Sequence, residues 1–480
     1  MNTPATGWSL TIPPLLWDKL SAHLFPGDGD EHGAVILAGL AAGRRGPRLL
    51  ARDFLPAEDR VDYVPGHSGY RALTTEFINM AIDRAEEEGL GYIAVHCHGG
   101  TTRVSFSSTD LASHERGYPA ISQIIERPVG GLVLTPQAAA GRLLLPDGEW
   151  HDLAEIVVPS GNLLRLRPSP SAVGQGINPE YDRQSRAYGA TGQALFGQMR
   201  VAVVGLGGIG SILVELIARL GVGHLVLIDP EKIDPTNLPR MVAARRLDAL
   251  PWFRHDGKPA LLKRVGEALA TSKTRLAARN ARRANPRIKV TKIVRDVSDP
   301  RAAAELSQVD WIFLAADSNL ARYETNAVIQ QYLIPGTQVG VSIPVDEDGT
   351  VGDIHIAIRP LLPGTFCLMC NSLINVTDLA VEAKPDQERA QARYVRDVPA
   401  ASVMTLNAIA AGEAANHFML AAVGLHEVVT DYDGLTHQPR HRDRDREGSR
   451  QRSSCRWCSG ASQSAFALGD ARRLPTIARP

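Results

Sequence analysis

Residues 199–229 read MRVAVVGLGGIGSILVELIARLGVGHLVLID. An apolar run, MRVAVVG, meets glycines at 205, 207, 208 and 210. A helical pattern, GSILVELIARLG, follows, and a second apolar run ends on Asp229. The order is strand, turn, helix, strand. Gly205, Gly207, Gly208 and Gly210 would let backbone approach a phosphate at the helix N-terminus, where free N–H groups favour an anion. Asp229 stands close to where such folds place an acid on a ribose hydroxyl. Alone, the turn is ambiguous: a nicotinamide dehydrogenase carries the same fingerprint, and a purely structural glycine turn is open too.

The rhythm continues downstream with helix SKTRLAARNARRAN and strands IKVTKIV and WIFLAA, which predicts an α/β fold built on a doubly wound, mostly parallel sheet. Upstream, residues 1–165 alternate short apolar runs (GAVILAGL, RLLARDFL, YIAVH, GLVLT, GRLLLP) with one long helical pattern, YRALTTEFINMAIDRAEEEG, closed by Gly89. They read as a compact α/β domain. Between the halves, RLRPSPSAVGQGINPEY is rich in Pro, Ser and Gly and reads as a linker. The charged run HRDRDREGSRQRSS is expected to be a solvated loop.

Composition narrows the function classes. At 480 residues the chain exceeds one ordinary core. Lys+Arg and Asp+Glu both number 52, so no net field favours nucleic acid or an anionic membrane. The start, MNTPATGWSL, lacks the basic and apolar regions of a signal peptide, and no long apolar stretch suggests a membrane span. The expectation is a cytoplasmic protein. Of the cysteines, Cys97 stands alone, whereas Cys367 and Cys370 (CLMC) and Cys455 and Cys458 (CRWC) form two C-x-x-C pairs. Four thiolates suit a tetrahedral structural zinc; a redox C-x-x-C is the competing reading, which a second pair disfavours.

Motifs around the glycine turn resolve its ambiguity. DPTNLPR supplies Asn237 and Arg240, the following helix supplies Lys273, and ADSNLARYETN supplies Asp317, Arg322 and Asn326; YDRQ, upstream, supplies Arg183. In this order the set resembles the ThiF/MoeB and ubiquitin-activating-enzyme superfamily over roughly residues 180–480. The resemblance implies a Rossmann-like adenylation domain over residues 181–480 that uses ATP and Mg²⁺ to adenylate the C-terminal carboxylate of a ubiquitin-like protein. It assigns Asp229 to the ribose, Asn237, Arg240 and Lys273 to the phosphates, and Asp317 to Mg²⁺. Arg183 would reach into the nucleotide site of the partner in a homodimer. The family also carries a structural zinc on cysteine pairs in the corresponding regions. Many relatives pass the activated carboxylate to a cysteine beyond the first pair, but residues 371–454 contain none. Activation here is therefore expected to end at the adenylate, or to pass it to a hydroxyl or to a thiol on another protein.

The other chemistry-bearing stretch is VHCHGGTTRVSFSSTD, residues 95–110. On a strand, His96 and His98 share one face and Cys97 faces away. With Asp110 from the following turn they offer three metal ligands and an open position, the arrangement of a hydrolytic zinc site. Glu31, in DEHGAVILAGL, could accept the proton of a metal-bound water. Together Glu31, His96-x-His98 and Ser107-x-x-Asp110 resemble the JAB/MPN (JAMM) metalloprotease motif over about residues 10–165. The resemblance implies that Glu31 is general base and acid and that Ser107 stabilises the oxyanion. The span from His98 to Ser107 is one residue longer than the family's usual spacing.

The expected organisation is thus a JAB/MPN-like domain at 1–165, a linker at 166–180 and an adenylation domain at 181–480. The implied function is a bifunctional enzyme of a bacterial ubiquitin-like pathway, in conjugation such as antiphage defence. The alternatives are activation and trimming of a sulfur-carrier protein, or a nucleotide-dependent scaffold with an inactive JAMM half. The partners implied are a ubiquitin-like or sulfur-carrier protein, a conjugating enzyme or sulfur donor acting in trans, and a second copy of the chain, with no nucleic acid and no membrane.

Overall fold

The computed structural model describes residues 6–64, 71–169, 178–384, 388, 400–428, 433–448, 450–459, 468–472 and 474–477. Residues 170–177 of the expected linker, and His67, lie outside the described residues.

The first half begins with β1 (Trp8–Thr11), α1 (Pro14–Leu24), β2 (Gly33–Ala41) and β3 (Arg48–Pro56). Next come α2 (Thr75–Glu88), β4 (Gly91–Cys97) and α3 (Ser108–Ile125). Four strands follow: β5 (Val129–Thr135), β6 (Ala138–Leu144), β7 (Trp150–Pro159) and β8 (Leu163–Leu166). Strand order is β1-β3-β2-β4-β5-β6-β7-β8, and β1 also pairs with β7, so the sheet closes on itself. Alternation along the strands feeds two cores. Ala34, Ile36, Ile93 and Val95 join one; Val35, Leu37, Tyr92 and the inner face of α2 join the other. As predicted, α2 ends on Gly89 in the left-handed conformation, and the Thr74 hydroxyl accepts from the Phe77 N–H at its start. The chain stays bonded to this sheet through Arg167, whose carbonyl accepts from Ala139 N–H in β6.

The second half continues with α4 (Asp182–Gln198), β9 (Arg200–Val204), α5 (Gly208–Leu220) and β10 (His224–Ile228). Short helices α6 (Arg246–Ala249), α7 (Pro251–Arg254) and α8 (Ala260–Leu269) precede α9 (Lys273–Ala284), β11 (Lys289–Ile293) and α10 (Pro300–Leu306). After them come β12 (Trp311–Leu314), α11 (Asn319–Tyr332), β13 (Gly336–Ser342), β14 (His355–Leu361) and α12 (Val376–Glu382). The last described elements are α13 (Met404–Val423), β15 (Gly434–Gln438) and β16 (Asp443–Glu447). The sheet runs β11-β10-β9-β12-β13-β14-β15-β16. Its first five strands are parallel and the rest antiparallel. Both faces of the parallel part are buried: Val201, Val203 and Phe313 pack under α5 and α13, while Ala202, Val204 and Ile312 pack under α11. Strand order reverses between β9 and β12, and a crevice opens at the carboxyl ends of those strands. No helix among the described residues is long and apolar enough to cross a membrane.

One expectation fails here. The run around residues 441–454 was expected to be a solvated loop, yet Asp443–Glu447 pairs along its whole length with β15. The ladder is made by backbone groups, so it tolerates five exposed charged side chains. Arg359 in β14 also holds Glu447 in a two-pronged ion pair.

The halves meet on a charged seam. Asp310, just before β12, accepts from Arg45 Nη1 at 2.7 Å on one oxygen; the other accepts from Arg45 Nη2 and, at 2.8 Å, from Arg200 N–H. Glu155 holds Arg165 and Arg167 at 2.7 and 2.8 Å. Asn162 and His426 exchange amide and backbone bonds of 2.9 and 3.0 Å. Burial alone would raise the Asp310 carboxyl, but Arg45, Arg165 and the Arg200 N–H outweigh it and hold it below the usual carboxylate range. Its contribution to stability is therefore full above about pH 4 and fades as acid protonates it. Asp310→Ala leaves the part-buried Arg45 guanidinium and the buried Arg200 N–H without their carboxylate and should cost about 1–3 kcal/mol in urea unfolding at pH 7. That deficit should shrink when the pair of proteins is compared in acid.

Candidate functional site

The crevice between β9 and β12 holds a cavity of about 460 Å³, lined by Gly205, Gly207, Gly208, Asp229, Glu231, Arg240, Lys273, Asp317 and Arg322. Local structure explains how the sequence makes it. Gly205 has φ +85°, and a Cβ there would lie 2.7 Å from Ala316 N; a Cβ on Gly210 would lie 1.9 Å from the Gly205 carbonyl oxygen. The turn therefore folds tightly enough to lay α5 against β9. Asp229 fixes it: its two oxygens accept from Leu206 N–H at 2.7 Å and Glu231 N–H at 2.8 Å. Burial pushes the Asp229 carboxyl up, opposed by Lys273 and those two donors.

Lys273 opens α9 behind its cap Ser272, and its ammonium pairs with Glu231, a side chain that is 66% exposed. Nε of Arg240 and Nε of Arg322 are buried without a hydrogen-bond partner among the described residues. Buried orphan donors are costly unless a ligand meets them. Two of them, with a lysine whose counter-ion can swing to solvent, fit an anionic ligand such as the phosphates of ATP. Asp317, exposed at the cavity's edge, is a carboxylate of the kind that would hold Mg²⁺ beside phosphate oxygens.

Three expected residues are not on the cavity wall: Gly210, which packs against the Gly205 carbonyl inside the turn, Asn237 and Arg183. Asn237 is buried below the wall: its side-chain oxygen accepts from Asp234 N–H at 3.1 Å, and its carbonyl accepts from Arg240 N–H at 3.1 Å. It shapes the turn that presents Arg240. Arg183 is exposed on the first turn of α4, away from the cavity. Sequence reasoning missed Glu231, Asp296 and the segment Ala400–Ser402, all of which line the cavity.

In the first half, β4 presents His96 and His98 with their Nε2 atoms 3.0 Å apart. Asp110 Oδ1 is 3.4 Å from His96 Nε2 and its Oδ2 3.5 Å from His98 Nε2; Glu31 Oε1 is 3.9 Å from His98 Nε2. Three ligand atoms at these separations match a tetrahedral zinc with bonds of about 2.0–2.2 Å. Asp110 comes from the first turn of α3 rather than from a turn before it. Ser107 caps that helix: its hydroxyl donates to Asp110 Oδ2 at 2.8 Å, and its N–H donates to the same oxygen at 2.7 Å. The hydroxyl thus orients Asp110. Burial would raise the Asp110 carboxyl, but His96 and Ser107 hold it far below the ordinary range. Cys97 points into the core, where burial raises its thiol and its sulfur accepts from His32 N–H at 3.1 Å. His114 is a core residue stacked on Tyr118, lowered to about 4 by burial. Also unforeseen is the setting of His32, beside Glu31: its Nε2 lies 3.0 Å from Asp28 and its Nδ1 3.8 Å from Asp59.

Cys367, Cys370, Cys455 and Cys458 converge, all buried, with their sulfurs within 4.8 Å of one another. The Cys367–Cys455 and Cys370–Cys458 separations are 3.6 and 3.4 Å. Sulfurs on a tetrahedral zinc with 2.3 Å bonds lie about 3.8 Å apart, so the cluster fits that metal.

The ThiF family profile matches residues 181–456, more than half of the sequence. The chain belongs to the ThiF family. Among curated relatives, it is 28% identical over 251 residues to ubiquitin-like modifier-activating enzyme 5 of Drosophila willistoni, covering 49% of this chain and 52% of that protein. It is 28% identical over 158 residues to the tRNA threonylcarbamoyladenosine dehydratase of Escherichia coli (strain K12), covering 32% and 51%. With the SAMP-activating enzyme E1 of Haloferax volcanii it shares 27% over 161 residues, covering 32% and 52%. This ThiF-family chain spans about half the length of these relatives. Among solved structures it is similar to E. coli MccB with ATP, at TM-score 0.44 and 19% identity, covering 58% of this chain and 75% of that one.

The tight turn makes one prediction for any ligand. Gly210→Ala forces a methyl against the Gly205 carbonyl and should lower the thermal unfolding temperature and weaken ATP binding together. A variant that is destabilised yet binds ATP normally would separate the turn from the site.

Proposed function

We propose that the second half is an ATP-dependent adenylating enzyme that activates the C-terminal carboxylate of a ubiquitin-like or sulfur-carrier protein. The observation that carries this reading is the convergence, in one ThiF-family crevice, of Lys273 with the orphan Nε donors of Arg240 and Arg322. Attack of a carboxylate on the α-phosphate builds charge on phosphoryl oxygens, and fixed cations in a cleft stabilise that charge. Arg240 and Lys273 bind the phosphates; Glu231 releases Lys273 as the nucleotide enters. Asp229 keeps the turn formed on the ribose side, Asp317 would hold Mg²⁺, and Asn237 acts through Arg240. Arg183 completes the site of a second copy. Names among the relatives, such as the ubiquitin-like modifier-activating enzyme, support the substrate class. With no cysteine in residues 371–454, activation ends at the adenylate or passes it to a hydroxyl, or to a thiol or sulfur donor on another protein.

The first half, in this reading, is a JAMM-type peptidase that trims or deconjugates the same modifier. The geometry of His96, His98 and Asp110, with Glu31 beyond them, supports it. These residues would hold zinc, which when bound acidifies a water ligand and polarises a carbonyl. Glu31 accepts the proton, and Ser107 orients Asp110. The four cysteines would hold a second, structural zinc.

ATP–pyrophosphate exchange with candidate modifiers tests the adenylating half; absence of exchange with every candidate sinks it. Asp317→Ala should abolish exchange and leave cleavage of a modifier fusion intact, and Glu31→Ala should do the reverse. Metal analysis should give about two zinc ions per chain, one removed readily by chelators and one retained. Loss of both at the same chelator concentration argues against a buried thiolate site.

A further inference from the structure

We infer that the seam between the two halves holds a second anion site, which takes a polyvalent phosphate: pyrophosphate or the phosphate chain of a nucleotide. A cavity of about 440 Å³ lies there, at the opposite end of the parallel sheet from the glycine turn. Arg200, His224 and Lys289 are the first residues of β9, β10 and β11 and form one wall; Arg44, Arg45 and Arg48, from the β2–β3 connection and the start of β3, form the other. Only Glu155 and Asp310 line it from the acidic side.

Its carboxylates are already claimed. Asp310 serves Arg45, and Glu155 serves Arg165 and Arg167. Glu305, just outside, serves both Arg44 and Arg200. Arg48 donates only to the carbonyls of Tyr332 and Ser307, and Lys289 has no carboxylate partner among the described residues. The Arg200 side chain is 5% exposed; its Nη atoms are held by Glu305 and by the Glu305 and Gln308 carbonyls, and its Nε has no hydrogen-bond partner among the described residues. The whole chain is neutral, so this excess of cations is local. Neighbouring charge agrees with it: burial, Arg200 and Arg44 lower His224 to about 4. Like charges gathered in a half-enclosed cleft repel, and a multivalent anion relieves that repulsion. Guanidinium groups suit phosphate oxygens in particular. Since both halves contribute walls, an occupant would draw the seam together.

The test uses the full chain carrying Arg240→Ala, which weakens the other cavity, titrated calorimetrically at low salt with pyrophosphate and separately with ADP. One pyrophosphate per chain is expected, with affinity falling as salt rises. Lys289→Glu, at an exposed strand end, should weaken binding about tenfold while leaving the unfolding temperature without anion unchanged. Equal binding of both probes means the phosphate chain alone is read; binding of ADP alone identifies a nucleotide as the source. Failure of both probes to bind the Arg240→Ala chain, or binding that Lys289→Glu does not weaken, overturns the inference.

Discussion

A carboxylate buried between two sheets organises this molecule. Asp310 sits at the foot of β12, and it binds the backbone of β9 through Arg200 N–H and the β2–β3 connection through Arg45. Removing a carboxylate from water is expensive unless several donors replace the solvent, and here those donors come from both halves of the chain. The clamp also sets strand position. Asp310 N–H donates to the Arg200 carbonyl, and from there the pairing runs from Val201 and Trp311 to Val204 and Leu314. The next residues along each strand are Gly205 and Ala315–Asp317, the walls of the crevice. Spacing at the functional end is thus inherited from an ion pair at the opposite end.

The two candidate sites use different means of readiness. In the crevice, Lys273 is held in place by Glu231, a counter-ion open to water, while the Nε donors of Arg240 and Arg322 have no partner among the described residues. At the histidine cluster no counter-ion needs to leave. Two imidazoles and a carboxylate are already drawn together, with the carboxylate fixed by a helix cap. The first arrangement favours a ligand that brings negative charge; the second suits one that brings positive charge.

How much of this the sequence disclosed depended on whether the information was local. The strand–glycine–helix unit was legible because its periodicity and its glycines lie within a few residues, and the two-residue period of a strand was enough to place His96 and His98 together. The four cysteines were legible as a set by their chemistry, although two loops far apart in the chain must meet. Asn237 was misplaced because a motif records which residues recur, not whether a side chain reaches the ligand or shapes the turn beside it. Asp110 was read as a turn residue because Ser107-x-x-Asp110 works as a capping box, a helix start that the Gly and Thr residues before it disguise. Closure of the first sheet by β1, the approach of Ala400–Ser402 to the crevice and the carboxylates around His32 are tertiary facts with no local signature.

The strand Asp443–Glu447 has a consequence of its own. It is the last strand of its sheet, and an open row of backbone donors and acceptors invites another chain to add on. Every side chain along this row is charged and exposed, alternating acid and base. An incoming strand would have to strip water from all of them at once and match their signs in register. The first sheet solves the same problem by leaving few free edges, its β1 bonded on both sides; the second solves it with charge. Each half thereby keeps its sheet from growing into a neighbour.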